Sequence, residues 1–259
     1  MGVSGRTKLV FLAGDPVDHA KGFSDYAEAI AAAGHDAVYL PVHVRAGELG
    51  QFLAGVRHAR NLAGVVATIP HKREARALAE PDLAARRAGS ANLLRPAPGD
   101  EGWECSMVDG AGFVAATDAA GFTFNGRQVQ VLGAGGAGRA VAMAIAERGP
   151  ASLAVNDPDP RRSAALAADL AREFPSLLVS DALGPSEVLV NCSPIGMGGD
   201  DAMPVLENLV PRGGDVYDIV NRPDTALLLA ARRRGCRTGY GRSMMLAQIP
   251  LVLQWFFLR

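Results

Sequence analysis

The chain has 259 residues, 49% of them hydrophobic, with 26 Lys and Arg against 27 Asp and Glu and a formal net charge of −1. That length suits one large or two modest domains with ample core, and the mixed charge leaves no extended basic field for nucleic acid or an anionic membrane. Cys105, Cys192 and Cys236 are scattered without metal-ligand or CxxC spacing, which points to a reducing, cytoplasmic setting and predicts no metal site. No basic segment followed by an apolar run opens the chain, and no apolar stretch reaches about 18 residues, so neither export nor membrane spanning is expected.

Strand and helix patterns alternate along the chain, predicting an α/β fold with parallel sheets and crossover helices. The first series is a strand at 8–12, a helix at 24–33, a strand at 36–41, a helix at 49–58 and a strand at 64–69. Two strand-like pieces, 91–95 and 103–107, flank the turn-rich loop 96–102, and a helix is expected from about Gly110. The second series follows: a strand at 129–132, an Ala-rich helix at 140–147, a strand at 153–155, a helix at 161–174, strands at 188–191 and 215–218, and a helix at 225–234. Arg232, Arg233 and Arg234 read as the solvated end of that helix. A last helix from about Ser243 is entered through Gly239 and Gly241, and its apolar tail near 255–258 is expected to dock on the body.

The turn Gly133, Ala134, Gly135, Gly136, Ala137, Gly138 sits between a predicted strand and a predicted helix, the order of a dinucleotide-binding βαβ unit. In such a unit the first glycine permits the tight turn, the second lets the backbone approach a pyrophosphate, and the third allows close helix packing. The new helix offers N–H groups and its positive dipole end to the phosphates. Asp157 lies 24 positions after Gly133, near the ~20 expected of the acid that binds the ribose hydroxyls. The plain alternative is a Gly-rich turn between packed elements. A carboxylate at 157 would repel a 2′-phosphate, so NAD is expected over NADP, with Arg161 and Arg162 the countervailing residues.

Several further segments, in order, resemble the shikimate dehydrogenase family, which includes quinate dehydrogenases. They are Gly14-Asp15-Pro16-Val17, Ala67-Thr68-Ile69-Pro70-His71-Lys72, Gly89-Ser90-Ala91-Asn92, Val108-Asp109-Gly110-Ala111-Gly112-Phe113, the glycine turn, Asn191-Cys192-Ser193-Pro194-Ile195-Gly196-Met197, Val216-Tyr217-Asp218, Pro223-Asp224-Thr225 and residues 244–248. The resemblance implies a substrate domain at 1–112 completed by 239–259, a Rossmann-type nucleotide domain at 113–238, and an active site in the cleft. It assigns Lys72 and Asp109 to catalysis, and Thr68, Asn92 and Gln248 to the substrate. Asn156, Ser193 and Met197 join the glycine turn and Asp157 as coenzyme contacts.

The chemistry agrees with that assignment. Reducing a ketone takes a hydride on carbon and a proton on oxygen, so a nicotinamide enzyme needs a positioned acid that turns base in the oxidising direction. A lysine titrates near 10.4 in water, and desolvation in a closed cleft lowers that value while a nearby carboxylate raises it. A hydrogen-bonded pair of Lys72 and Asp109 would combine both effects. Without the resemblance, Lys72 reads as a solvated lysine after Pro70 and Asp109 as a helix cap. Asn92, Thr68 and Gln248 read likewise as a turn amide, a strand hydroxyl and a helix-surface amide. His71 reads as a loop histidine, and His19, His35, His43 and His58 carry no ligand spacing.

The departures from the family pattern fall on the substrate side. The two hydroxyl residues that usually hold the substrate carboxylate are Ala20 and Gly22 here, with Lys21 between them, and Lys21 or backbone donors are the replacements open to a carboxylate. Val66 and Met107-Val108 stand where the family usually has Asn and Asn-Thr, and Asn221 where it has tyrosine. The residues therefore predict an NAD-dependent oxidoreductase of small, polar, cyclic alcohols and ketones with an altered substrate. A true shikimate or quinate dehydrogenase, or a catalytically silent nucleotide-binding regulator, are the alternatives. The expected partner is a small-molecule substrate, with a homodimer as the one assembly entertained.

Overall fold

The structure, a computed structural model, describes residues 3–18, 20–100, 102–199 and 202–258, so His19 and Glu101 of the 96–102 loop lie outside the described residues. The chain forms two compact units, Met1–Val108 with Gln248–Arg259, and Asp109–Ala247. The divisions fall at 108/109 and 247/248 rather than at the expected 112/113 and 238/239. Both shifts have local causes, given below with each unit.

The first unit runs β1 (Lys8–Gly14), α1 (Phe23–Ala32), β2 (Ala37–His43), α2 (Leu49–Val56), β3 (Leu62–Ala67), α3 (Lys72–Ala77), β4 (Glu80–Pro81), α4 (Leu83–Ala88), β5 (Leu93–Pro96) and β6 (Trp103–Ser106). Among the described residues its sheet is ordered β2-β1-β3-β5-β6-β4. β1 pairs in parallel with β2 and β3, whereas β5 runs antiparallel to β3 and to β6, with which it forms a hairpin across the 96–102 loop. The short α3, β4 and α4 have no sequence counterpart above, because six-residue helices rich in Ala and Arg are too short to display an apolar period.

The second unit continues with α5 (Asp109–Ala119), β7 (Gln128–Leu132), α6 (Gly136–Ala146), β8 (Ser152–Asn156), α7 (Pro160–Glu173), β9 (Leu178–Ser180), β10 (Val188–Asn191), β11 (Asp215–Asp218), α8 (Ala226–Arg233), β12 (Arg237–Tyr240) and α9 (Gly241–Phe257). Its sheet is parallel throughout, in the order β12-β11-β10-β7-β8-β9. Val129, Val131, Val155 and Val190 form its core with Leu166 and Leu170 of α7. Such β-branched runs suit parallel strands buried on both faces. α5 belongs here because Gly110 brings it against α6: a Cβ at 110 would stand 2.6 Å from the Ala140 carbonyl oxygen. The Gly239 segment is strand β12 rather than a helix entry, since it completes the sheet beside β11.

From Gln248 onward, α9 packs in the first unit. Ile249, Val252, Leu253 and Phe256 join Val10, Leu12, Val66 and Leu93 in one core. Gly64 of β3 makes room, because a Cβ there would collide with the Phe256 ring. Arg95 donates to the Trp255 carbonyl at 2.7 Å and lies 4.4 Å over its indole, so the tail is docked as expected. Among the described residues no helix is long and apolar enough to cross a membrane.

Candidate active site

In the first unit, the carboxyl ends of β1, β2 and β3 are tied together. Thr68 N–H donates to the Ala13 carbonyl at 2.9 Å, Asp15 N–H to Ile69 at 3.0 Å and Val44 N–H to Gly14 at 3.1 Å. Gly14 is packed so closely that a Cβ would stand 2.7 Å from the Thr68 methyl. The chain then enters α3 at Lys72, which is half-buried. The Lys72 carbonyl accepts from Ala91 N–H, and the Asn92 carbonyl accepts from Ala67 N–H, both at 2.8 Å. Main-chain bonds thus bring Thr68, Lys72 and Asn92 to one end of this sheet.

The side chains around them differ in their freedom. Asn92 is buried, and its amide oxygen accepts from Val108 N–H at 3.0 Å, so at least half of that amide builds the fold. His71 lies in the turn before α3, as a loop histidine, and is 1% exposed. Its Nε2 donates to the Val44 carbonyl at 2.8 Å, which fixes the tautomer because a carbonyl only accepts. Lys21 is exposed, and Gln248 is half-buried on α9. Asp15, unassigned above, accepts from His43 Nε2 and from Ala46 N–H, each at 2.8 Å. The His43 hydrogen bond is the main cause of a lowered Asp15 pKa.

The altered motif has a backbone consequence. Gly22 caps α1 at φ +91°, and no side chain caps that helix. A serine there would be strained, so this backbone suits glycine. Val66, Met107 and Val108, the other departures in this unit, are all buried, with Val66 and Val108 in the core cluster.

In the second unit, β7 and β10 mark the reversal of strand order, where open α/β sheets bind ligands beyond their carboxyl ends. The glycine turn leaves β7 there. Gly133 takes φ +97°, and a Cβ on it would stand 2.9 Å from the Cys192 carbonyl and Ser193 nitrogen. A Cβ at Gly138 would collide with the Gly133 carbonyl oxygen, whereas at Gly135 it would meet no heavy atom within 4 Å. The first and third glycines are thus required by packing, and the second faces open space at the start of α6. That is the cradle a pyrophosphate fits, with main-chain N–H groups and a helix dipole as its donors.

Asp157 follows β8 and braces this turn. One carboxylate oxygen accepts from Ala134 N–H at 2.8 Å and the other from Asp159 N–H at 3.0 Å. Asp159 caps α7 and takes both Nε and Nη2 of Arg161 at 3.0 Å, which lowers its pKa. Asn156 donates to the Asp181 carbonyl at 3.4 Å, Ser193 is half-buried, and Met197 is exposed. Asp109 is buried as the first residue of α5, inside the helix rather than capping it from outside.

A buried network between β10 and β11 was not foreseen. Asp218 accepts from Thr225 Oγ1 at 2.7 Å, Asn191 Nδ2 at 2.9 Å and Val220 N–H at 3.1 Å. Asn191 Oδ1 in turn accepts from Ser193 Oγ at 2.7 Å and Ser193 N–H at 3.0 Å. The signal available in the sequence was a polar residue ending each of two apolar strands.

Comparison with known proteins agrees with these two units. Residues 12–94 match the family model of the shikimate dehydrogenase substrate binding domain. A shikimate dehydrogenase (NADP(+)) of Rubrobacter xylanophilus is 37% identical over 256 residues, covering 95% of this chain and 89% of that relative. The crystal structure of a shikimate 5-dehydrogenase from Thermus thermophilus in complex with NADP(H) and shikimate superposes with a TM-score of 0.86 at 29% identity, over 96% of this chain and 93% of that one. A ligand-free 5-ketofructose reductase of a Gluconobacter strain superposes at 0.83 with 26% identity, over 98% and 94% of the two chains. The first two names carry shikimate and NADP, where the residues pointed to a changed substrate and to NAD. This chain belongs to the shikimate dehydrogenase family of nicotinamide-dependent oxidoreductases.

Proposed function

We propose that the protein is a shikimate-type dehydrogenase that oxidises a ring CH–OH of shikimate or a close relative, and reduces the ketone in reverse. The observation that carries this reading is the main-chain bonding of Thr68, Lys72 and Asn92 at one sheet end, in a chain alike over almost its whole length to shikimate dehydrogenases. A bound nicotinamide coenzyme supplies the hydride chemistry. Lys72 Nζ takes the hydroxyl proton during oxidation and returns it during reduction. Asp109 supplies the second catalytic group, a carboxylate. Thr68, Asn92, Gln248 and Lys21 serve the ring substituents and the carboxylate. The glycine turn, Asn156, Asp157, Ser193 and Met197 hold the coenzyme, which makes Asp109–Ala247 the nucleotide domain and the remainder the substrate domain.

The relatives' names favour NADP, whereas the residues of this chain favour NAD. Asp157 is held by two main-chain hydrogen bonds, so it does not swing away cheaply from an incoming 2′-phosphate. Titrating both coenzymes by calorimetry tests the preference, and tighter NADP binding refutes it.

A second reading, a keto-sugar or another substrate not anchored by hydroxyls at 20 and 22, is favoured by Ala20 and by the left-handed Gly22. Likeness to a 5-ketofructose reductase supports it. Steady-state kinetics with shikimate, quinate and 5-ketofructose separate the two. A kcat/KM for shikimate above about 10⁴ M⁻¹s⁻¹, the lower end for ordinary enzymes, supports the first reading, and a value well below it with turnover of the keto-sugar supports the second.

A further inference from the structure

Asp218 is a fully buried carboxylate that the proton chemistry above does not use. It ends β11, next to β10 in the sheet, and its three donors come from three separate segments: Asn191 ending β10, Val220 in the following turn, and Thr225 capping α8. Burial pushes its pKa up, and the donors from Thr225, Val220 and Asn191 oppose that push. Because Oδ1 faces two N–H donors, it accepts from Asn191 in either protonation state.

That fixes the Asn191 amide in one orientation. Its NH2 must face Asp218, so its oxygen must face Ser193, where it accepts from both the main-chain N–H and the hydroxyl. Ser193 Oγ then accepts from Ile195 N–H at 3.3 Å. Asp218 Oδ1, as acceptor, and Ser193 N–H, as donor, hold the Asn191 amide from its two ends, which sets the polarity of every bond from Ile195 back to Asp218. The segment so held begins against the glycine turn, since Gly133 has room for no Cβ beside Cys192 and Ser193. It also leaves β10, the first strand of the sheet half that binds the second mononucleotide of a dinucleotide.

From this geometry we infer that Asp218 is a positioning residue, which orients Asn191 and through it the 193–197 segment to receive the nicotinamide half of the coenzyme. The inference rests on the coenzyme reading given above. Its effect is confined to one half of the ligand, because the Ala134 and Asp157 contacts of the other half lie in the turns that follow β7 and β8, and the Ala134–Asp157 bond has no partner in this network.

The test is calorimetric titration of the whole protein with NADH, NADPH, ADP-ribose and 2′-phospho-ADP-ribose. Asp218→Leu removes the acceptor that faces Asn191 Nδ2 and should weaken the preferred dinucleotide by about tenfold, the factor carried by one buried hydrogen bond to a charged group. The matching ADP-ribose fragment should bind as it does to the wild type. Thr225→Val should act in the same direction and Thr225→Ser should restore binding, and this pair carries the test if Asp218→Leu does not fold. Equal weakening of dinucleotide and fragment, or no weakening of either, overturns the inference. A wild type that binds neither NADH nor NADPH overturns instead the coenzyme reading beneath it.

Discussion

Two residues carry most of the chemical argument, and the structure bears on them differently. Lys72 opens α3, with its carbonyl bonded to Ala91 N–H beside Asn92, and α3 itself is too short to announce itself in sequence. The residue was legible only through its motif. Lys72→Ala should lower turnover by roughly 10²- to 10⁴-fold, the range for general acid-base catalysis, while coenzyme affinity stays within twofold or so of the wild type. Wild-type turnover by this variant would remove Lys72 from proton transfer. Asp157 was legible from spacing alone, although its bracing of Ala134 was not, because that bond depends on where β8 ends relative to β7. Asp157→Ser should move the ratio of NAD to NADP affinities by about tenfold toward NADP. A ratio unchanged in paired titrations would show that the carboxylate does not select the nucleotide. Asp218 and Asn191 were named in their motifs, but their partnership was not legible, because it crosses two strands and residue spacing does not report strand neighbours.

At the scale of elements, the long apolar strands and amphipathic helices were legible and the short pieces were not. β7, β8, β10 and β11 stand within a residue or two of their expected places because runs such as Val129, Val131 and Val188, Leu189, Val190 have few other ways to be buried. β12 was misread as a helix entry, since Gly239 carries no strand signal and only pairing with β11 makes the segment extended, whereas Gly241 does open α9. α9 shows how a glycine in one element serves a bulky residue in another. Gly64 yields its side-chain space to Phe256, which is 7% exposed. Phe256→Ala should cost about 3–5 kcal/mol of stability, the range for truncating a buried phenylalanine. Denaturant unfolding followed by a probe of the first unit measures it, and a loss under about 1 kcal/mol would mean that the tail is only loosely docked.

At the scale of the molecule, the two-unit α/β architecture was legible because two alternating series of strands and helices are each long enough for a sheet of their own. The borders were less so: the one at Asp109 falls at the start of α5, and the one at Gln248 divides the units inside what the sequence presents as a continuous helix. If the second unit is the nucleotide domain, ligand binding adds to its stability by mass action. Coenzyme at about 100 times its Kd contributes about 2.7 kcal/mol, or roughly 5–10 °C in melting temperature for a chain of this size. Differential scanning fluorimetry with NAD and NADP in parallel reads this directly, and a flat response to both would leave the glycine turn without its proposed ligand.

The central claim is that this chain couples a nicotinamide coenzyme to a ring CH–OH through Lys72, and initial-rate kinetics of shikimate oxidation test it most directly. With each of NAD and NADP saturating, the account predicts that the wild type forms reduced coenzyme with kcat/KM above about 10⁴ M⁻¹s⁻¹ for shikimate with the preferred one, and that Lys72→Ala loses at least about a hundredfold. A wild-type rate no greater than that of Lys72→Ala, with both coenzymes, would contradict it.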